Sequence, residues 1–388
     1  MLRSSLGFHT IMLARVSLNT ETLLQELTEY SHKTGTIKIY PDKIGNTVVK
    51  FYKEYKGIEW MVRHNIWLND ISMFVDYIYI TINPKILGGV TDYITAATID
   101  DMAAAITNFN SISQEISTLL PTFEQCSITR VDYCVNFSLK ELIGECDPEQ
   151  MMNLIKRSDI PPSYHEWMEY DEISHRKRTR PGSFYLINDS VHINCYSKYM
   201  QLLDKSKKNI ERGYPPVPQK TLDDARDIIR FEVQCHYRKT YFLSRNIKQQ
   251  GRGYPNKYKE ILAQEQCIEI INSYYKKTIG WSNWYSLEAA VALVKSRRFN
   301  SQKEKRLISA LQEVSQCRSL AKAKVSNQGS DLETFKRSLN DLSSIGINPV
   351  TIPKNRGVKR IWNLLETYYS KLSQEDLNIE NSDVFSFK

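Results

Sequence analysis

The stretch that decides the fold is residues 127–137, SITRVDYCVNF. Side chains on a β-strand alternate between its two faces. Val131, Tyr133, Val135 and Phe137 therefore form one apolar face, while Arg130, Asp132, Cys134 and Asn136 share the other. This period of two predicts a strand with one side on a core and one polar side. Two later stretches repeat the pattern. In IIRFEVQ (228–234), Ile229, Phe231 and Val233 oppose Arg230, Glu232 and Gln234; in VHINCY (191–196), Val191, Ile193 and Cys195 oppose His192, Asn194 and Tyr196.

Outward from these, further short β-branched and aromatic runs predict strands at TIKIYP (36–41), NTVVKFYKEY (46–55), FVDYIYITI (74–82) and SFYLIN (183–188). Helical patterns lie between them, at Thr20 to Ser31, Asp100 to Leu119 and from Ser197 toward Lys208. The alternation predicts an α+β class: an N-terminal antiparallel sheet covered on one face by helices, followed by an α-helical C-terminal domain. Gly- and Pro-rich QQGRGYPNK (249–257) marks the boundary, giving domains 1–257 and 258–388. Strand signals stop there. Beyond it Leu307, Leu311 and Val314 fall at helical spacing, as do Leu332, Phe335, Leu339 and Leu342, and the acidic tail after Gln374 is expected to fray.

At 388 residues the chain has room for two to three compact units of about 150 residues each. Its net charge of +8 is compatible with a polyanionic partner without requiring one. The chain contains no run of about 18 uninterrupted apolar residues, and the opening MLRSSLGFHTIMLARV breaks a secretion-signal pattern with His, Thr and Arg. A cytoplasmic protein with no membrane contact is expected. Met12 offers an alternative start that would leave the first strand intact. The seven cysteines form no CxxC or CxxxxC pair, which predicts reduced thiols rather than disulfides or a zinc knuckle.

If the three alternating strands are neighbours in one sheet, Asp132, Glu232, His192 and Tyr196 converge on one surface. Carboxylates brought together repel, and Mg²⁺ or Mn²⁺ is the usual remedy. A phenol beside such a cation becomes a usable nucleophile, although its free pKa is about 10. The alternative is a polar face that merely looks at water, as one side of many antiparallel sheets does.

Five segments in order, FVDYIYITINPKILGG (74–89), SITRVDYCVNF (127–137), VHINCYSKYMQL (191–202), IIRFEVQ (228–234) and a helical SIGINPV (344–350), give the chain a family likeness. It resembles the gene II/X replication proteins of filamentous phages and, more distantly, the trans-acting rolling-circle initiators of plasmids. The resemblance implies a metal-dependent DNA-nicking endonuclease. Tyr196 of the Tyr-x-Lys motif corresponds to the nucleophile, followed by Lys198. Asp132 of Arg-x-Asp and Glu232 of Arg-Phe-Glu correspond to ligands of Mg²⁺ or Mn²⁺. The chain lacks the His-hydrophobic-His pair of better-known nickases, so a carboxylate-held metal is expected, with His192 and Asp76 as candidates for the third ligand.

The implied reaction is attack of the Tyr196 phenolate on an origin phosphodiester, giving a 5′-phosphotyrosine and a 3′-OH primer, with later rejoining. No G-x-x-x-x-G-K-[ST] loop occurs, which assigns unwinding to a host helicase and extension to a host polymerase. Arg130 and Arg230, with Arg176, Lys177, Arg178 and Arg180 of HRKRTR (175–180), are candidate contacts to single- and double-stranded origin DNA. Tyr199 is a candidate second nucleophile, and the 23 tyrosines and 6 tryptophans offer stacking surfaces for unpaired bases. Lys354, Arg356, Lys359 and Arg360 are candidates for duplex recognition or for a basic rim on a stabilising subdomain. Two other readings stand beside the initiator: a non-catalytic origin-binding protein and a conjugative relaxase.

Overall fold

The computed structural model describes residues 5–52, 56–68, 72–90, 94–144, 147–171, 175–179, 182–211, 215–249, 257–354 and 357–384. In chain order the strands are β1 (Ser5–Ser17), β2 (Ile37–Pro41), β3 (Thr47–Phe51), β4 (Ile58–Leu68), β5 (Met73–Ile82), β6 (Ser127–Ser138), β7 (His165–Glu166), β8 (Glu169–Asp171), β9 (Arg176–Arg178), β10 (Ser183–Ile187), β11 (Val191–Ser197), β12 (Ile228–Cys235), β13 (Trp284–Tyr285) and β14 (Arg360–Ile361). The helices are α1 (Thr20–Thr34), α2 (Pro84–Leu87), α3 (Ile99–Ile116), α4 (Leu139–Ile143), α5 (Pro148–Ile155), α6 (Lys198–Glu211), α7 (Gln219–Asp224), α8 (Tyr237–Gln249), α9 (Lys257–Ile261), α10 (Gln264–Thr278), α11 (Leu287–Ser296), α12 (Ser301–Cys317), α13 (Leu320–Ser326), α14 (Gly329–Ser344) and α15 (Leu364–Val384).

Ten strands form one antiparallel sheet in the order β2-β3-β4-β5-β1-β6-β12-β11-β10-β7. The expected α+β class is the observed one, and the three alternating strands are indeed adjacent. Pairing lines up apolar residues into rows. Ile58, Ile82, Ile11, Val131 and Cys235 form one such row across five strands, each at most 1% exposed. Burying a side chain of this size contributes about 1.5–3 kcal/mol, so a shift of register by one residue is strongly disfavoured.

The C-terminal helices close this apolar face. Buried Cys267, Ile270, Ile271, Tyr274 and Tyr275 recur at helical spacing along α10. The Tyr275 ring meets Phe137 of β6 at 6.0 Å and Phe231 of β12 at 5.3 Å, both edge-on, and Tyr368 of α15 meets Phe137 at 6.5 Å. Edge-on aromatic pairs add about 0.5–1.5 kcal/mol each beyond area burial. One core therefore runs from β1 to α15 across position 257.

Four features differ from the sequence reading. Helices are not confined to one face, because α6 and the segment 94–97 lie over the polar side of β1, β6 and β12. Residues 345–350 are not helical: α14 ends at Ser344, Gly346 takes φ +77°, and Asn348 bonds the Ile279 carbonyl and the Val350 amide. Beyond 257, β13 and β14 pair with each other. Finally, β1 starts at Ser5 and pairs with β6 through Ser5–Phe8, so a chain begun at Met12 would lack half of a central strand. Cys126, Cys134, Cys195, Cys235, Cys267 and Cys317 are free, and Cys146 lies outside the described residues.

Candidate active site

On the polar face, three rows cross β6, β12 and β11: Asp132–Gln234–His192, Cys134–Glu232–Asn194 and Asn136–Arg230–Tyr196. Asp132 and Tyr196 are thus each a diagonal neighbour of Glu232, the separation at which long side chains touch across strands. The Tyr196 hydroxyl donates to Glu232 Oε2 at 3.3 Å, and Gln234 Nε2 donates to Oε1 at 2.6 Å. Asp132 receives a two-pronged bond from Arg130, Nε to Oδ1 at 2.6 Å and Nη2 to Oδ2 at 2.8 Å.

The fourth strand of the site is β1, and it arrives by way of an irregularity. Phe8 pairs with Tyr133 and Ile11 with Val131, so two residues, His9 and Thr10, stand against Asp132 alone. This is a β-bulge, a device that redirects a side chain at the expense of one ladder step. His9 Nδ1 lies 3.1 Å from Glu232 Oε2. His9, Asp132 and Glu232 bring one ligand atom each to within 4.8 Å of one another.

Burial and charge set the protonation of this cluster. Burial, then the charge of Glu232, pushes the Asp132 carboxyl up to about 7 against the pull of Arg130. Burial also raises Glu232, but His9, Arg230 and the Gln234 amide outweigh it and hold Glu232 well below the usual carboxylate range. Burial and the Arg230 charge lower His9 below its ordinary value even though Glu232 raises it, favouring the neutral ring that a metal ligand requires. Burial, then Arg230, drives the Lys198 amine well below the ordinary lysine range. Burial and Glu232 raise the Tyr196 phenol well above its ordinary value, so it rests protonated.

Arg230 is 1% exposed and donates from Nε to Asn136 Oδ1 at 2.7 Å and from Nη2 to the Ile94 carbonyl at 2.9 Å. Sequence reasoning offered it as a DNA contact. Its burial instead makes it a strut that holds the segment 94–97 over the site, with Nη1 left unpartnered. Gly7 permits the close approach of that segment, since a Cβ there would lie 2.0 Å from the Ala97 carbonyl oxygen. Tyr196 and Lys198 are 7% and 3% exposed, and a narrow cavity of about 60 Å³ lined by Lys85, Lys198 and Lys205 reaches His9.

Neither expected third ligand joins the cluster. Asp76 accepts from the Asn65 amide at 2.9 Å and lies 3.4 Å from His64, where it supports a second bulge in β4 at Asn65, φ +55°. His192 stands on the far side of Gln234 from Asp132, with Tyr185 Oη 3.0 Å from its Nδ1 and the His236 ring at 4.2 Å. His9 takes the place intended for them. The signal for it was the polar pair His9-Thr10 inside an otherwise apolar strand, which a strict period of two cannot place.

The remaining candidates lie further out. Tyr199 packs with Leu202 and Leu222, with the Arg226 guanidinium 5.5 Å above its ring. Lys177 is exposed on the β8–β9 hairpin. Arg180, Arg356 and the side chains of Arg176 and Arg178 lie outside the described residues. Lys354 pairs with Glu288 at 3.2 Å, Lys359 is exposed, and the Arg360 guanidinium sits 3.6 Å over the Trp362 ring.

No protein-family model and no curated protein matches the chain. Among solved structures it is similar to a rolling circle replication initiator protein from Geobacillus stearothermophilus, with 10% identity and a TM-score of 0.29 over 71% of this chain and 85% of that chain. A TM-score of that size leaves the function to be argued from the site. Among the described residues no helix is long and apolar enough to cross a membrane.

Proposed function

We propose that the protein is a metal-dependent tyrosine nickase that initiates rolling-circle replication. The observation that carries this reading is the Tyr196 hydroxyl bonded to Glu232, itself one of three side chains whose ligand atoms lie within 4.8 Å of one another. A protonated phenol held against a buried carboxylate at the edge of a histidine–carboxylate donor set is poorly explained as packing, since an apolar residue would fill the same space without the desolvation cost.

One imidazole and two carboxylates fit a divalent cation with mixed nitrogen and oxygen ligation, which favours Mn²⁺ over Mg²⁺. When bound there, the cation supplies Lewis-acid polarisation of a phosphate oxygen and offsets the Glu232 charge that keeps the phenol protonated. Tyr196 attacks phosphorus while its proton passes to a neighbouring base; the P–O3′ bond breaks, and the leaving 3′ oxygen takes up a proton from that base or from water as the 3′-OH. Lys198, two residues along in the Tyr-x-Lys motif and buried within the field of Glu232 and Arg230, is the candidate for that base or for a contact to a phosphate oxygen. Arg230 draws the phenol toward its ionised form. The lysine-lined cavity offers the path by which a phosphate reaches His9.

The test needs no knowledge of the origin. A randomised single-stranded oligonucleotide pool is incubated with the protein and Mn²⁺, and covalent protein–DNA adducts are resolved on a denaturing gel. Wild type is expected to form an adduct that Tyr196→Phe does not. An adduct that persists in Tyr196→Phe moves the nucleophile to Tyr199, and no adduct in wild type overturns the reading.

A further inference from the structure

Beside the nucleophile, toward the edge of the sheet, lies a second cavity that the chemistry above does not use. It has a volume of about 320 Å³ and is lined by Glu166, Trp167, Thr179, Ser183, Tyr185 and Asn194. That size is within the range of small-molecule pockets, about 300–1,000 Å³. Its place is fixed by register. Ser183 is the direct partner of Tyr196 and Tyr185 of Asn194, so all four share the face that carries Glu232. Adjacent strands are about 4.8 Å apart, so the cavity begins one strand away from the phenol.

The lining has an unusual composition for this molecule. One wall is aromatic, with the Trp167 and Tyr185 rings 5.9 Å apart and the Trp167 amide tied to the Tyr185 carbonyl at 2.8 Å. The Tyr185 hydroxyl is anchored against His192, which fixes its ring. The other wall is neutral and polar. Asn194 Oδ1 accepts from Ser183 Oγ at 3.1 Å, which orients the Asn194 amide, and Thr179 adds a hydroxyl. Glu166 also borders the cavity; its pairing with Leu186 turns its side chain toward the opposite face, where the charges of Lys156 and Lys322 act on it. The exposed hairpin with Lys177 leads into it from Thr179.

A ring-lined wall, with Trp167 and Tyr185 inclined at 54° to each other, facing oriented amide and hydroxyl groups matches one chemistry above others: stacking of a heterocycle on one π-face and bonding to its edge. We propose that this cavity seats an unpaired nucleobase, that of the nucleotide next to the phosphodiester held against Tyr196, and so sets which sequence is cut. The proposal rests on the nickase reading for its position but not for its chemistry, and the two fail separately.

The experiment measures binding of fluorescein-labelled single-stranded 12-mers of thymidylate, intact or with one abasic position moved along the strand, to the full chain in EDTA, where no cutting occurs. Wild type is expected to bind the intact strand and to lose about tenfold to a hundredfold in affinity when the abasic position falls at one particular step. Trp167→Ala is expected to bind the intact strand as weakly as wild type binds that abasic strand, and to be indifferent to the abasic position. Asn194→Ser, a smaller change that keeps the strand pairing, is expected to alter the ranking of thymidylate, cytidylate and adenylate 12-mers without changing the thermal midpoint. Strands bound equally by wild type and by both variants, or no single-strand binding by wild type, would overturn the pocket; the nickase reading stands or falls on the adduct assay alone.

Discussion

Glu232 is the residue on which the site turns, because three side chains from three different positions address its two oxygens. Tyr196 and His9 meet Oε2, and Gln234 meets Oε1. Replacing it by Gln keeps the shape and removes the charge. Taking one partner out of a buried charge cluster leaves Arg230 and Lys198 without a counter-charge, so Glu232→Gln is expected to lower the thermal midpoint and, in the folded protein, to lose more than tenfold in Mn²⁺ affinity by calorimetric titration. Undiminished affinity would take Glu232 out of the donor set. Asp132→Ala should likewise lose adduct formation while still binding single strands. A second residue sets a pH dependence. Burial, then His192 and Arg130, lowers His236 to about 4, against about 6.5 in the unfolded chain. Between these values the unfolded state binds more protons, so this group makes stability fall as pH drops from about 6.5 to 4. Thermal midpoints across that interval should therefore have a shallower slope for His236→Gln than for wild type.

At the scale of the element, β1 does more than its sequence announces. It is the centre of the sheet, it carries His9, and its Gly7 admits the backbone of 94–97, which in turn receives Arg230. Gly7→Ala places a Cβ against a backbone oxygen that no side-chain rotation can move away. Overpacking of this kind costs about 1–3 kcal/mol, occasionally more. Gly7→Ala is expected to lower the thermal midpoint and to expose 94–97 to limited proteolysis, and removal of residues 1–11 to abolish cooperative unfolding altogether. The same element explains what the sequence could and could not show. β6, β11 and β12 hold an unbroken period of two, so spacing puts Asp132, Glu232 and Tyr196 each on the polar face of its own strand, and the adjacency of the three strands brings those faces together. β1 and β4 each contain a bulge, which inverts the faces partway along, and there the alternation rule fails: His9 was passed over, β4 went unread, and Asp76 was offered to a metal when its work is to hold the β4 bulge at Asn65. Residue pairs also carry no sign of depth, which is why Arg230 read as a DNA contact when it is buried.

Among the described residues two surfaces set cations in different surroundings, and they make different predictions. One is the polar face of the sheet on the β4–β5 side of the site. Met12 is paired with both Arg130 and Thr81, and two residues further along β5 is Tyr79, so the face that holds the candidate site continues to Tyr79, Tyr77 and Arg63. All three are half-buried; the tyrosine rings are 5.8 Å apart and the Arg63 guanidinium lies 4.6 Å from the Tyr79 ring. Rings beside a cation on an open face suit unpaired bases and their phosphates. The other surface is the exposed set of Lys354, Lys359 and Arg360 around β14, remote in sequence from β6, β11 and β12, with Trp362 under the Arg360 guanidinium and Tyr285 as the strand partner of Arg360. Lys354 is exposed and its partner Glu288 equally so, an ion pair worth little in water and readily exchanged for a phosphate. Single-strand affinity of Arg63→Ala with Tyr79→Ala should therefore fall, and its dependence on log salt should flatten by about 0.7 for the one phosphate lost, while duplex affinity holds. Lys354→Ala with Lys359→Ala should do the reverse, lowering duplex affinity and reducing the salt slope by about 0.9 per contact. On the proposed nickase reading, in which duplex and unpaired strand coexist after local melting, separable surfaces would let the protein stay on the duplex while one strand reaches Tyr196. If both double variants instead weaken both substrates equally, the surfaces form one continuous binding site, and the division of labour between sheet and C-terminal helices falls.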